Sequence, residues 1–129
     1  MKVLIVDDSN AMRMIVKRTL REAGFGHLDV EQAGDGNQAL DCIHKAAPDL
    51  ILSDWNMPNM QGIDLLKACK AEAALKDTPF MLVTAEGEQK QIVEAAKAGV
   101  SDYVVKPFNA QTLKEKLQKV YDRHHGKAA

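Results

Sequence analysis

Five short apolar runs recur along the chain, and segments of mixed polarity separate them. The runs are Lys2–Val6, Leu28–Gln32, Leu50–Ser53, Phe80–Val83 and Tyr103–Val105. Four of them are nearly continuous, which is typical of strands that are buried on both faces of a sheet. The second run contains more polar residues, and it therefore predicts an edge strand.

Each separating segment carries apolar residues at helical spacing. The five stripes are Met12, Ile15, Val16, Thr19, Leu20 and Ala23; Ala39, Leu40, Ile43 and Ala47; Ile63, Leu66, Cys69 and Ala73; Ile92, Val93 and Ala96; and Leu113, Leu117, Val120 and Tyr121. Gly24 and Gly26, Pro48, Pro79 and Gly99 follow the first four helices as stop signals. Ser9 and Asn109 are expected to cap the first and fifth helices.

The alternation of strand and helix, repeated five times, predicts an α/β fold. Such an order indicates a five-stranded parallel sheet with right-handed crossovers and helices on both faces. Residues 1–124 are expected to form one domain, and residues 125–129 a frayed tail. Ligands of such open sheets bind beyond the carboxyl ends of the strands. The residues that follow each strand are therefore the candidates for a site.

Composition and charge narrow the classes of function. The chain has 129 residues, 46% hydrophobic and 27% charged, with a net charge of -1, as in an ordinary globular protein. This balance argues against broad binding to nucleic acid or membranes. No apolar run reaches the roughly 18 residues of a membrane span, and no secretory signal is present, so a cytoplasmic location is expected. Cys42 and Cys69 are expected to be buried or half-buried reduced thiols rather than zinc ligands.

Chemically distinctive residues follow the first, third, fourth and fifth strands. They are Asp7 and Asp8, Asp54, Thr84, and Lys106. Carboxylates gathered at one edge of a sheet repel one another unless a cation intervenes, and Mg²⁺ with some retained water fits two or three of them. Lys106 would supply a positive charge and Thr84 a hydroxyl to an incoming phosphoryl group. Asp54 is then predicted to be a nucleophile that forms an acyl phosphate.

The segments "LIVDDS", "LSDWNMPNMQG", "VTAEG" and "YVVKPF" carry these residues, and together they resemble the receiver domains of bacterial two-component response regulators. The resemblance covers residues 2 to about 122 and is strongest to the single-domain chemotaxis regulators. It implies a flavodoxin-like sheet with strand order 2-1-3-4-5, an order known from that family. It also implies a signalling switch rather than an enzyme that turns over a substrate. Such a switch phosphorylates itself from phosphodonors and dephosphorylates itself.

The resemblance assigns the phosphorylation and metal residues one by one. It implies that Asp54 is the phosphoacceptor. It implies a Mg²⁺ site formed by the carboxylates of Asp7, Asp8 and Asp54, with the backbone carbonyl of Asn56. It also implies that Lys106 pairs with the phosphoryl group.

The resemblance also assigns residues to the switch and to its decay. Thr84 would bond the phosphoryl oxygen, and Tyr103 would then turn inward, changing the face formed by helix four, strand five and helix five. Asn56 and Glu86 stand where family members tune the rate of self-hydrolysis. The peptide bond before Pro107 is expected to be cis, which is true of about 5–6% of such bonds in general.

The implied partners are proteins. A histidine kinase would donate the phosphoryl group, and a downstream protein, the flagellar motor switch in chemotaxis, would receive the signal. A phosphatase is a further expected partner, and the chain is expected to be a monomer. No DNA-binding domain follows the fifth helix, so signalling is expected to act through protein contacts.

Three other interpretations stay open at this point. A single-domain receiver of a non-chemotaxis phosphorelay would share every motif. A Mg²⁺-dependent aspartyl phosphatase or phosphotransferase would share the chemistry, but such enzymes usually carry a second acid where this chain has Asn56. A flavodoxin-like cofactor binder would share the topology, but the acids after the first strand would repel a phosphate.

Overall fold

The computed structural model describes residues 2–25, 29–84, 89–106 and 108–124, without the side chains of residues 89, 121, 123 and 124. Within these ranges, five strands alternate with five helices. They are β1 Lys2–Val6, α1 Asn10–Leu20, β2 Asp29–Ala33, α2 Gly36–Lys45, β3 Leu50–Asp54, α3 Gly62–Ala71, β4 Phe80–Thr84, α4 Gln89–Ala98, β5 Asp102–Val105 and α5 Ala110–His124. Arg21–Phe25 follows α1 directly, and Gly24 in this segment has a φ of 97°, which interrupts the helical backbone. None of the helices in the described ranges is long and apolar enough to cross a bilayer.

The strands form a single parallel sheet in the order β2-β1-β3-β4-β5. This confirms the predicted α/β class and the strand order that the resemblance implied. Helices α2, α3 and α4 pack on one face of the sheet, and helices α1 and α5 pack on the other. Each face therefore has its own apolar cluster, and the central strands contribute to both.

β1 shows why the central strands are apolar at nearly every position. Val3 and Ile5 face the cluster under α1 and α5, whereas Leu4 and Val6 face the cluster under α2 and α3. Because successive side chains point to opposite faces, a strand covered on both faces needs apolar residues throughout. The continuous pattern of β1, β3 and β4 follows from this position.

The prediction of burial on both faces is wrong for the fifth strand. β5 is the second edge strand of the sheet, and Val105 in it is 37% exposed. Among its residues Val104 alone is buried. A run of four residues does not reveal its place in the sheet, because the strand order depends on pairings across the chain.

The observed strands extend further toward the candidate site than the sequence predicted. β3 includes Asp54 and β4 includes Thr84, so these residues are the last members of paired strands rather than the first residues of loops. Asp54 lies opposite Val83, and Thr84 lies opposite Val105. β2 begins at Asp29, and Leu28, the predicted start, lies outside the described residues.

Several residues of the predicted helical stripes face solvent. The exposed members are Ile15, Ala47, Ala73, Val93 and Ala96. In α4 the buried residue is Ala95, with Ile92 half-buried beside it. The apolar residues of this short helix form too broad an arc for their spacing alone to fix which side faces the sheet.

The predicted caps and thiols agree with the structure. The Met12 amide donates to the hydroxyl of Ser9 at 3.2 Å, and the Thr112 amide donates to the side chain of Asn109 at 2.8 Å. Cys42 is half-buried, and Cys69 is buried. Burial raises the pKa of the Cys69 thiol to about 11, so it stays protonated at neutral pH.

Candidate functional site

Three carboxylates converge where β1 and β3 end side by side. Val6 at the end of β1 pairs with Ser53, so Asp7 and Asp8 beyond β1 lie next to Asp54. One carboxylate oxygen from each acid lies within 4.8 Å of the other two. Asp7 and Asp54 are buried, and Asp8 is exposed. A set of oxygen donors that is open on one side fits a hard cation that keeps some of its water ligands. Mg²⁺ usually binds to proteins in this way.

Asp7 is held in place through its main chain and its side chain. Its amide donates to the carbonyl of Ala33 at 3.1 Å, and its Oδ1 accepts a hydrogen bond from the Ser9 amide at 2.9 Å. Burial raises the pKa of the Asp7 carboxyl, and the charge of Asp54 raises it further. The Ser9 hydrogen bond and the charge of Lys106 act in the opposite direction. A proton or a cation is thus favoured at this buried carboxyl.

Lys106, the residue directly after β5, reaches the same acids. Its Nζ lies 3.3 Å from Oδ1 of Asp54 and 3.6 Å from Oδ2 of Asp7. Its amide donates to the carbonyl of Thr84 at 2.7 Å, which fixes the start of the loop after β5. The Lys106 side chain is 20% exposed, so solvent screens its charge less than that of a surface lysine.

The backbone after Asp54 folds closely against neighbouring chain. The Trp55 amide donates to the carbonyl of Val83 at 2.9 Å, and the Gly62 amide donates to the carbonyl of Trp55 at 2.8 Å. A Cβ on Gly62 would overlap the carbonyl oxygen of Asp54. Residue 62 therefore has to be glycine for α3 to begin this close to the acid.

Thr84 and Tyr103 border the same small space. The Thr84 side chain is buried, and its hydroxyl lies 3.3 Å from Oε1 of Gln91, to which it donates. A cavity of about 10 Å³, close to the volume that one water needs, lies between β3, β4, α4 and β5. Its lining consists of Trp55, Thr84, Gln91, Ile92, Ala95 and Tyr103. The two residues expected to act as a switch thus meet at one gap in the packing.

The outer side of Tyr103 faces α5. The ammonium of Lys116 lies 4.9 Å from the centre of the Tyr103 ring and 3.3 Å from Oδ1 of Asp102. The ring is half-buried, with apolar core on one side and a cation on the other. Tyr103 therefore connects the interior cavity with the surface formed by β5 and α5.

Trp55, which directly follows β3, is buried in the core rather than exposed in the loop. It is 5% exposed and packs in the cluster under α2, α3 and α4. Asn56, the next residue, is exposed, and its carbonyl belongs to the loop beside the acids. Residue type alone did not reveal this alternation, because a tryptophan directly after a strand can turn either way.

Two of the residues that the sequence assigned to the site and its switch lie outside the described residues. They are Glu86, with its role in the decay of the phosphorylated state, and Pro107, with its cis peptide bond. Both assignments stay predictions.

Three residues that sequence reasoning did not assign contact this site. Gly62 packs on the Asp54 backbone, Gln91 accepts from Thr84, and Arg13 donates to the carbonyl of Asp7. The glycine was part of a quoted motif, and a close approach of backbone could have been suspected there. Gln91 and Arg13 lie on helices, and the residues around them in the sequence do not indicate a role in the site. Their hydrogen bonds to the site go to residues outside their own helices.

Comparisons with known proteins agree on one family. The response regulator receiver domain family matches residues 3–118. The chemotaxis protein CheY of Pseudomonas aeruginosa is 52% identical over 126 residues, covering 98% of this chain and all of that protein. The chemotaxis protein CheY-3 of Vibrio cholerae is 53% identical over 123 residues, covering 95% of this chain and 93% of that protein.

Solved structures give the same result. The crystal structure of the V. cholerae chemotaxis protein CheY4 superposes with a TM-score of 0.83 at 42% identity, covering 92% of this chain and 97% of that one. A receiver domain of a histidine kinase from Syntrophus aciditrophicus superposes with a TM-score of 0.84 at 27% identity, covering 96% of this chain and 92% of that one.

Proposed function

The chain belongs to the response regulator receiver domain family, and from that premise we propose that Asp54 accepts a phosphoryl group from a phosphohistidine of a histidine kinase. The observation that supports this most directly is the position of Lys106, 3.3 Å from Asp54 within a cluster of three carboxylates. A buried acid beside both an ammonium and two further acids suits phosphoryl transfer better than structural stabilisation.

In the proposed transfer an oxygen of the Asp54 carboxylate attacks phosphorus in line with the leaving imidazole. The new P–O bond forms as the P–N bond breaks, and the imidazole nitrogen leaves with the electron pair. Lys106 faces the oxygens that carry negative charge during the transfer, and it holds that charge near Asp54. Water later attacks phosphorus, the P–O bond to Asp54 breaks, and inorganic phosphate leaves, which restores the free carboxylate. Asn56 and Glu86 are the residues proposed to tune that rate.

The donor set fits Mg²⁺ as the cofactor. Asp7, Asp8 and Asp54 supply oxygens within 4.8 Å of one another, and the carbonyl of Asn56 is the fourth proposed ligand. When bound, Mg²⁺ neutralises charge on the transferred phosphoryl group and on the acids. The three acids would hold the cation beside Asp54. Because Asp8 is exposed, this side of the site is open to the phosphodonor.

The proposed output is a shift between two pre-existing conformations. A phosphoryl group on Asp54 would draw the Thr84 hydroxyl toward it, and the cavity that Thr84 borders would gain room for the Tyr103 ring. Inward rotation of Tyr103 would remove its ring from Lys116 and change the surface made by α4, β5 and α5. The phosphoryl group acts by binding this second arrangement better than the first.

We place this switch in chemotaxis, in the cytoplasm, with the flagellar motor switch as the downstream partner. Two relatives that are more than half identical over nearly the whole chain are named chemotaxis proteins. The protein would work as a monomeric signalling switch that binds proteins rather than nucleic acid. A phosphatase would be a further partner.

A reconstituted pathway tests the proposal. Phosphorylated histidine kinase from the source organism should transfer its label to this protein in the presence of Mg²⁺, and the phosphorylated form should bind the motor switch protein more tightly than the free form. Transfer without any gain in binding to the motor switch would point to a receiver of another phosphorelay. Absence of transfer from any histidine kinase would contradict the proposed function.

A further inference from the structure

Arg13 makes three hydrogen bonds at the loop that carries Asp7 and Asp8. Its Nη1 donates to the backbone carbonyl of Asp7 at 2.5 Å. Its Nε donates to Oε1 of Gln32 at 3.1 Å, and its Nη2 donates to Oδ1 of Asn10 at 3.1 Å. The guanidinium is planar and rigid, so three acceptors on three different segments fix its position. Arg13 thus joins α1, the β1–α1 loop and β2.

These bonds complete the fixation of Asp7. The Asp7 amide is bonded to Ala33 of β2, and the Asp7 carbonyl is bonded to Arg13. The peptide groups on both sides of its Cα are therefore held. The direction in which the Asp7 side chain leaves the backbone follows from them, and the Ser9 amide sets the orientation of the carboxylate.

Arg13 achieves this without occupying a carboxylate oxygen. An arginine next to acids usually forms a two-pronged pair with a carboxylate, which is the stronger interaction. Here the bond goes to the carbonyl of Asp7, while Oδ2 of Asp7 faces Lys106 at 3.6 Å. Arg13 thus leaves the two carboxylate oxygens of Asp7 to the Ser9 amide, to Lys106 and to a divalent cation.

We infer that Arg13 is a positioning residue that sets the Mg²⁺ affinity of the acidic cluster by fixing the backbone of Asp7. This inference rests on the function proposed above, and it concerns a residue whose hydrogen bonds go to Asn10, Gln32 and the carbonyl of Asp7 rather than to a carboxylate of the cluster. Two effects of Arg13 oppose each other. Its charge repels a divalent cation, whereas its hydrogen bonds hold a ligand in place. Loss of a residue that orients a metal ligand typically lowers affinity by about 10- to 100-fold, so positioning is the larger effect.

The experiment is a titration with MgCl₂ at constant ionic strength, followed by the emission of Trp55. Arg13→Ala should raise the Mg²⁺ concentration at the midpoint by about tenfold. Arg13→Lys keeps the positive charge but loses the planar set of guanidinium donors, and it should raise the midpoint by a smaller factor. Gln32→Ala removes one anchor of the guanidinium from an exposed position, and it serves as the second variant if Arg13→Ala does not fold. Met14→Ala, on the exposed side of α1, is the matched control and should not change the midpoint.

The alternatives give different results. If charge alone mattered, Arg13→Ala would bind Mg²⁺ more tightly and Arg13→Lys would match the wild type. If Arg13 were merely structural, melting temperatures in chelator would fall while the Mg²⁺ midpoint stayed constant. Either pattern overturns the inference. A wild-type protein that shows no response to Mg²⁺ in emission or in melting temperature would instead refute the proposed metal site, and the role of Arg13 with it.

Discussion

The ammonium nitrogen of Lys106 lies 3.3 Å from Oδ1 of Asp54, although β4 lies between β3, which Asp54 ends, and β5, which Lys106 follows. The same nitrogen lies 3.6 Å from Asp7. One cation is thus shared between two buried acids, and a third acid, Asp8, lies beside them. The free site therefore carries an excess of negative charge, and most of its expected behaviour follows from that excess.

Removal of the shared cation should destabilise the metal-free protein. We expect Lys106→Met to lower the free energy of unfolding in chelator at neutral pH by about 2 kcal/mol, less than for a fully buried pair because Lys106 is 20% exposed. Urea unfolding measures this loss. The loss should shrink when Asp7→Asn is also present, and the exposed Lys67→Met provides the control. An unchanged stability of Lys106→Met would mean that the ion pairs contribute nothing.

Covalent labelling should depend on Asp54. A small acyl phosphate should label the wild-type protein in the presence of Mg²⁺, and Asp54→Asn should abolish the labelling because an amide lacks the nucleophilic oxygen. Mass spectrometry of peptides locates the label. Asp64→Asn, a change to an exposed acid on α3, is the matched control and should be labelled as the wild type is. Label that persists on the peptide containing residue 54 would count against the assignment.

Mg²⁺ should stabilise the fold. At about ten times its dissociation constant, a ligand that binds the folded state alone adds about 1.4 kcal/mol to the free energy of unfolding. For a domain of this size that corresponds to an increase in Tm of roughly 5 °C. Thermal unfolding with MgCl₂ and with chelator, at matched ionic strength, measures the difference. Asp8→Asn should raise the Tm in chelator and reduce the increase in Tm that Mg²⁺ causes. A wild-type Tm that does not change with Mg²⁺ would argue against a metal site at the acidic cluster.

The stability of the metal-free protein should also depend on Asp7 and pH. Burial raises the pKa of the Asp7 carboxyl, and Asp54 adds to this effect. The folded state therefore binds this proton more tightly than the unfolded state. The resulting cost to folding is present above the raised pKa and is relieved as the pH falls toward the ordinary Asp pKa of about 3.9.

Asp7→Asn should accordingly be more stable than the wild type near neutral pH in chelator. The lost contact with Lys106 acts in the other direction, but burial is the larger influence on this carboxyl. The advantage of the variant should diminish on acidification. Urea unfolding at a series of pH values measures it, and a variant that is less stable than the wild type at neutral pH would refute the expectation.

Thr84 should couple phosphorylation to output. Thr84→Ala should leave Asp54 able to accept a phosphoryl group but weaken binding of the phosphorylated protein to the motor switch protein. A hydrogen bond to a charged group contributes about 1.5–3 kcal/mol, so a loss of roughly tenfold or more is expected. Thr84→Ser keeps the hydroxyl and should retain most of the affinity. Equal affinities of phosphorylated wild type and Thr84→Ala would remove Thr84 from the switch.

The sequence predicted most of the fold because its strongest signals are local. Continuous apolar runs identified β1, β3 and β4, and the polar residues after them marked the edge of the sheet where Asp7, Asp54 and Lys106 meet. The edge position of β5 was missed, because the exposure of Val105 depends on which strand lies beside it. The stripe of α4 was right only in part, because Ile92 is half-buried but Val93 and Ala96 face solvent, and the one buried alanine carries little signal.

The fine structure of the site lay beyond the sequence. Arg13 and Gln91 act through hydrogen bonds to other segments of the chain. The spacing of residues in the sequence does not predict such bonds. The depth of Trp55 depends on how β3 leaves the sheet. Residue types at strand ends can thus reveal which groups gather, but the contacts that orient them appear only when the whole chain is placed.

The sheet order gives the two halves of the candidate switch unequal mechanical freedom. Asp54 ends β3 and Asp7 directly follows β1, and both of these strands have neighbours on both sides. Tyr103 lies on β5, which is paired with β4 alone in the sheet. A strand with one neighbour can tilt by straining a single ladder of hydrogen bonds, while a central strand must disturb two. The strands next to the acids are consequently held more firmly than the strand that carries Tyr103. A change at Asp54 can therefore alter the outer surface around β5 without disturbing the packing of the core.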